Sequence, residues 1–128
     1  MNNAVILVVD DSASIRMQVR LLLEKENFTV RLAGNQLGMM NAIEEYGEIA
    51  DLIIMDLNLK GEQGFDLIKV LRENSKYKDI PVLVLTEYAE KESVLTAKKI
   101  GVKGYLRKPI VREDMIEKIA DIIKQIKS

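Results

Sequence analysis

The residues with the most chemical potential are polar groups set where apolar runs end. Asp10 and Asp11 follow the run Ala4 to Val9, and Asp56 follows Leu52-Ile-Ile-Met55. Thr86 stops Val82-Leu-Val-Leu85, and Lys108 comes just after Tyr105-Leu106. The chain contains no histidine and no cysteine. That excludes the commonest general base, the Ser-His-Asp arrangement, thiol nucleophiles, disulfides and thiolate metal sites. What remains is chemistry on carboxylates, ammonium groups, hydroxyls and a hard metal. Carboxylates within about 4–6 Å of one another raise each other's pKa or demand a counter-cation. Magnesium answers that demand with one or two carboxylate ligands and several waters, and leaves room for phosphate oxygens. Lys108 would place a fixed positive charge opposite the metal, and Thr86 would donate to an anionic oxygen. The set suits a carboxylate that becomes phosphorylated, with the cations neutralising the charge that develops.

Each residue also has a plainer use. Acids after strands cap the next helix, a threonine can simply end a strand, and a lysine can be one of many solvated cations. What separates the two uses is whether the elements bring these positions together. Ala4–Val9 is apolar without alternation, as in a strand covered on both faces of a parallel sheet. Ile15, Val19, Leu22 and Leu23 follow helical spacing, with Asp11 or Ser12 available as the cap. Phe28–Ala33 forms a second strand. Met39, Met40, Ile43 and Tyr46 mark a second helix ending at Gly47, and Leu52–Met55 forms a third strand. Phe65, Ile68 and Leu71 carry a third helix after Gly64, and Pro81 opens a fourth strand. Val94, Ala97 and Ile100 carry a fourth helix closed by Gly101. Tyr105-Leu106 lies in a short fifth strand, and Met115, Ile116, Ile119, Ile123 and Ile126 give a last helix.

Five strand–helix units with short connections predict an α/β fold, a doubly wound parallel sheet with helices on both faces. All the strands then end on one edge, where ligand sites of open α/β sheets form. That topology gathers Asp10, Asp11, Asp56, Thr86 and Lys108.

With 128 residues the chain has room for one core. Hydrophobic residues at 48% and charged residues at 30% exclude disorder by composition. Lys and Arg number 19 against 20 Asp and Glu, so no global positive field exists to hold nucleic acid. The longest apolar runs fall far short of the roughly 20 residues that a membrane span requires. The start Met-Asn-Asn lacks a signal peptide, so a cytoplasmic location is expected. The methionines read as core filler.

Taken together, Val8-Val9-Asp10-Asp11-Ser12, Asp56 with Gly64 downstream, Thr86, and Tyr105 before Lys108-Pro109 resemble the receiver domain of bacterial response regulators, similar to the single-domain chemotaxis regulator. The resemblance runs from Val5 to the last helix. It implies a flavodoxin-like three-layer (βα)5 sandwich with strand order 2-1-3-4-5, and one receiver domain over residues 1–128 with no output domain. It implies Asp56 as phospho-acceptor. Asp10, Asp11, Asp56 and the Asn58 backbone carbonyl are then the magnesium ligands, and Lys108 the partner of a phosphoryl oxygen. Thr86 is implied as the switch hydroxyl, Tyr105 as the aromatic that turns inward with it, and Lys108-Pro109 as a cis peptide.

The implied donor is a histidine kinase or a histidine phosphotransfer protein, since the chain has no histidine of its own. The phosphoryl group adds roughly two negative charges and biases a pre-existing two-state equilibrium. The readout is a protein target on the face of the fourth helix, fifth strand and fifth helix. The protein is expected as a monomer or a weak phosphorylation-dependent dimer. Glu87 stands where the family usually has a small residue, and could repel phosphate. Tyr88, with Asn58, stands where dephosphorylation is tuned, and could shield the acyl phosphate. Lys60 replaces a common proline. The rival readings are a phosphorelay intermediate, a degenerate receiver signalling by binding alone, a magnesium-dependent aspartyl-phosphate phosphatase and a flavodoxin-type nucleotide module. The phosphatase lacks a general-acid aspartate two residues after the nucleophile, and the nucleotide module lacks a glycine-rich loop after the first strand.

Overall fold

Strands that are apolar on both faces can only be central, and the chain builds its sheet from them. The structure, a computed structural model, describes residues 4–59, 61–87 and 91–127, apart from the side chains of 91–94 and 127. Strands β1 (Val5–Val9), β2 (Thr29–Ala33), β3 (Leu52–Asp56), β4 (Val82–Thr86) and β5 (Gly104–Arg107) form one parallel sheet. Their order is β2-β1-β3-β4-β5, the flavodoxin-like arrangement. Every residue of β1, β3 and β4 is buried.

Alternate side chains serve two cores, as the period of two in a strand requires. Leu7, Ile53 and Val84 face one layer with Met39, Ile43, Leu67 and Leu71. Ile6, Ile54 and Leu83 face the other with Val19, Leu23, Met115 and Ile119. The helices α1 (Ala13–Glu24) and α5 (Arg112–Lys127) supply the second layer, while α2 (Gln36–Ala42) and α3 (Gly64–Arg72) supply the first. A further helix, α4 (Lys91–Lys99), buries Ala97, and Ile100 just beyond it packs on the first layer. Met39, Met55 and Met115 fill the core, whereas Met17 is exposed.

Register carries the strand ends into line. Val9 lies opposite both Ala33 and Met55, Asp56 opposite Leu85, and Thr86 opposite Arg107. Asp56 and Thr86 are themselves the last residues of their strands, one position further than the apolar runs. The pairing to the neighbouring strand continues through the polar residue.

The second helix is shorter than its apolar spacing predicts. It ends at Ala42, and Glu44–Glu45 pairs antiparallel with Glu48–Ile49. Tyr46 (φ 53°) and Gly47 (φ 77°) make the turn, the two positive φ values that a tight hairpin needs. Here the Ala50 N–H donates to the Ile43 carbonyl at 2.8 Å, and Arg31 on β2 reaches both of the helix's last carbonyls. Its guanidinium donates to the Ala42 and Ile43 carbonyls at 3.1 and 3.3 Å, ending the helix with a cation. Glu45 and Glu48 close on the same group at 3.6 and 3.4 Å.

Among the described residues, no helix is long and apolar enough to cross a membrane.

Candidate functional site

The carboxyl edge of the sheet gathers acids because each is held by its own backbone. Asp10 follows β1, and its N–H donates to the Ala33 carbonyl at 3.0 Å. Its Oδ1 accepts the Ser12 N–H at 2.9 Å, a local turn that aspartate favours. Ser12, of the two candidate caps, is the one that caps α1, accepting the Ile15 N–H at 3.3 Å. Asp56 ends β3, and its Oδ1 accepts the Asn58 N–H at 3.1 Å. Beyond it the chain turns through a small ladder, Asn58–Leu59 against Glu62–Gln63, with Gly61 at φ 77°. The N–H of Gly64, the first residue of α3, donates to the Leu57 carbonyl at 2.9 Å. A Cβ on Gly64 would meet the Asp56 carbonyl oxygen at 2.3 Å and Leu57 Cα at 2.7 Å. Only glycine lets α3 approach β3 this closely.

Lys108 enters from beyond β5. Its N–H donates to the Thr86 carbonyl at 2.6 Å, and its peptide bond to Pro109 is cis. The ammonium lies 3.0 Å from Asp10 Oδ2 and 3.6 Å from Asp56 Oδ2. Asp10 and Asp56 are almost fully buried, while Asp11 is exposed. One oxygen from each of the three lies within 4.8 Å of the others.

This crowding shows in the titration of Asp56. Burial is the main cause that pushes its pKa from 3.8 up to about 6. The Asn58 N–H and Lys108 pull it down, while Asp10 and Asp11 push it further up. For Lys108, burial works against the charge but is outweighed, chiefly by the hydrogen bond to Asp10, and its pKa rises. Among the described residues, the site therefore holds more negative charge than the adjacent Lys108 ammonium offsets. Hard oxygen donors at this spacing fit a magnesium ion, which the same crowding calls for.

A cleft of about 440 Å³ opens over these groups, lined by Asp10, Asp11, Asp56, Asn58, Glu87 and Lys108. Thr86 is buried at the end of β4, next to this cleft in sequence and sheet position. Tyr105 lies opposite Val84 on β5, half-buried against the first core layer. Tyr88 and Lys60 fall outside the described residues. One contributor has no signal in the sequence: Arg16 in α1 donates to the Asp10 carbonyl at 2.6 Å and pins the loop after β1.

Residues 6–120 match the family described as the response regulator receiver domain. The chain belongs to that family. Receiver domains of the chemotaxis type are among its relatives. It is 33% identical to chemotaxis protein CheY-3 of Vibrio cholerae over 125 residues, covering 97% of this chain and 95% of that one. It is 30% identical to chemotaxis protein CheY of Pseudomonas aeruginosa, covering 94% and 97%. The receiver fold agrees with solved structures. Chemotaxis protein CheY4 of Vibrio cholerae superposes with a TM-score of 0.84 at 32% identity, covering 93% of this chain and 98% of that one. A two-component response regulator of Clostridium difficile gives 0.88 at 25% identity, covering 98% and 100%.

Proposed function

We propose that Asp56 accepts a phosphoryl group from a phosphohistidine of a partner kinase or phosphotransfer protein, and that the resulting acyl phosphate switches a protein-binding face. The observation that carries the reading is the buried Asp56 carboxylate, facing Lys108 at 3.6 Å inside a cluster of acids open to a cleft. The Oδ–P bond forms as the donor's N–P bond breaks. The imidazole leaves with the electron pair and takes up a proton from solvent. Lys108 stays protonated and meets a phosphoryl oxygen as charge moves onto it. Asp10, Asp11, Asp56 and the Asn58 backbone carbonyl would hold magnesium. When bound, that ion supplies positive charge against the phosphoryl oxygens.

Phosphorylation places roughly two negative charges beside Lys108 and Thr86. In this reading the Thr86 hydroxyl moves to the phosphoryl group and Tyr105 turns inward behind it. The population then shifts toward the conformation that these contacts favour. Output passes through α4, β5 and α5 to a protein target in the cytoplasm, from one receiver unit spanning the chain. The domain assists its own phosphorylation and dephosphorylation, and acts on no separate substrate. Asn58, Glu87 and Tyr88 set the lifetime of the phosphate.

Glu87 favours a second reading. It adds a further carboxylate to the cleft wall, and repulsion of phosphate would leave a receiver that signals by binding alone. The two separate with magnesium and beryllofluoride, a phosphoryl mimic, followed by NMR. The first reading expects saturable shifts at Thr86 and Tyr105 that vanish in Asp56→Ala. No saturable shift in the parent protein would contradict it.

A further inference from the structure

Past the acceptor strand, a carboxylate ties the small ladder to a second element. Glu62 Oε1 accepts the backbone N–H of Gln36 at 3.0 Å. Gln36 is the first residue of α2, and its N–H has no partner inside the helix. The helix's own cap, Asn35, is committed to the Gly38 N–H at 2.8 Å. Glu62 is half-buried and pairs with Leu59 in the small ladder, while Asn58 pairs with Gln63. Leu59 is buried beneath. The ladder is thus pinned at one end by the Gly64 N–H on Leu57 and at its middle by Glu62 on α2.

We propose that Glu62 is a positioning residue for the acceptor loop. By gripping α2 it fixes the ladder of Asn58–Leu59 with Glu62–Gln63, and with it the Asn58 backbone, whose N–H holds Asp56 and whose carbonyl is the proposed further magnesium ligand. The proposal rests on the receiver reading of that site. An acceptor group removed from contact with the reacting atoms acts here as outer-shell partners of metal ligands do, by limiting how far a ligand can stray.

Three variants separate position from charge. Glu62→Ala removes both the charge and the acceptor. Glu62→Gln removes the charge and keeps an oxygen that can accept the Gln36 N–H. Gln36→Pro removes the donor and leaves Glu62 intact, at a helix position that tolerates proline. Magnesium titration followed by amide NMR is the measurement, together with hydrogen exchange of the Asn58 amide without metal. Glu62→Ala and Gln36→Pro should each weaken magnesium on the order of ten-fold and speed Asn58 exchange. Glu62→Gln should stay close to the parent in both. Equal weakening in Glu62→Ala and Glu62→Gln, with Gln36→Pro unchanged, would assign the effect to charge and overturn the proposal. Unchanged Asn58 exchange in all three would overturn it too, even with magnesium binding intact. A parent protein with no saturable magnesium response would remove the receiver reading itself, and the inference with it.

Discussion

Charge is buried at both ends of the sheet, and the two ends treat it in opposite ways. At the amino edge, Arg31 is nearly inaccessible, but two carbonyls and two carboxylates surround it. At the carboxyl edge, Asp10 and Asp56 are also buried, and among the described residues one ammonium, Lys108, lies against both of them, with Asp11 close by. The first cluster is matched. The second is unmatched, and Asp56 is driven up to about 6. A saturated buried charge holds a structure together, whereas an unsaturated one is poised for a ligand that completes it.

Breaking the matched cluster should have the largest effect on stability. Arg31→Met removes the cation from the Ala42 carbonyl at the end of α2, while the Ile43 carbonyl keeps the Ala50 N–H at 2.8 Å, and should cost about 2–3 kcal/mol. Urea denaturation measures it. Most of the loss should persist at high salt, because Glu45 and Glu48 are exposed and their share is screened. Gly64→Ala drives a methyl into the backbone of Asp56 and Leu57. It should cost about 1–3 kcal/mol and weaken magnesium, since β3 must shift.

The unmatched cluster should respond with the opposite sign. The folded pKa of Asp56 is raised, so its stabilising contribution is complete below 3.8 and is lost as pH rises through about 6. Asp56→Asn should therefore exceed the parent in stability by about 1–3 kcal/mol at neutral pH. The gap should close as pH falls from about 6 toward 3.8. Urea midpoints against pH give the comparison, and a parent more stable than Asp56→Asn at neutral pH would show that the carboxylate is already satisfied. Magnesium should produce the smallest change. At ten times its dissociation constant it should stabilise the parent by about 1.4 kcal/mol, and Asp56→Asn by less.

The sheet and most of the site could be read from residue order, because strands buried on both faces are written as unbroken apolar runs and their ends are marked by polar residues. Asp10, Asp56 and Lys108 are legible for that reason, since parallel topology converts sequence position into spatial coincidence. The extent of α2 was not. Met39, Met40, Ile43 and Tyr46 keep helical spacing, but the carbonyls that would continue the helix accept from Arg31, more than ten residues away on another element, and Ile43 also from the Ala50 N–H. Arg16 and Glu62 escaped for the same reason, because each acts on a backbone atom brought near only by the fold. Glycine was a partial guide. Gly64 is visible as part of a motif, but the close approach that demands it depends on where α3 lands on β3.

In the proposed function, the acidic cluster serves to take up phosphate on Asp56. Intact-protein mass spectrometry after incubation with magnesium and a panel of phosphorylated histidine kinases tests it directly. One added phosphoryl group in the parent, absent in Asp56→Asn, is the predicted result; a parent that never gains mass, or a gain that persists in Asp56→Asn, would contradict it.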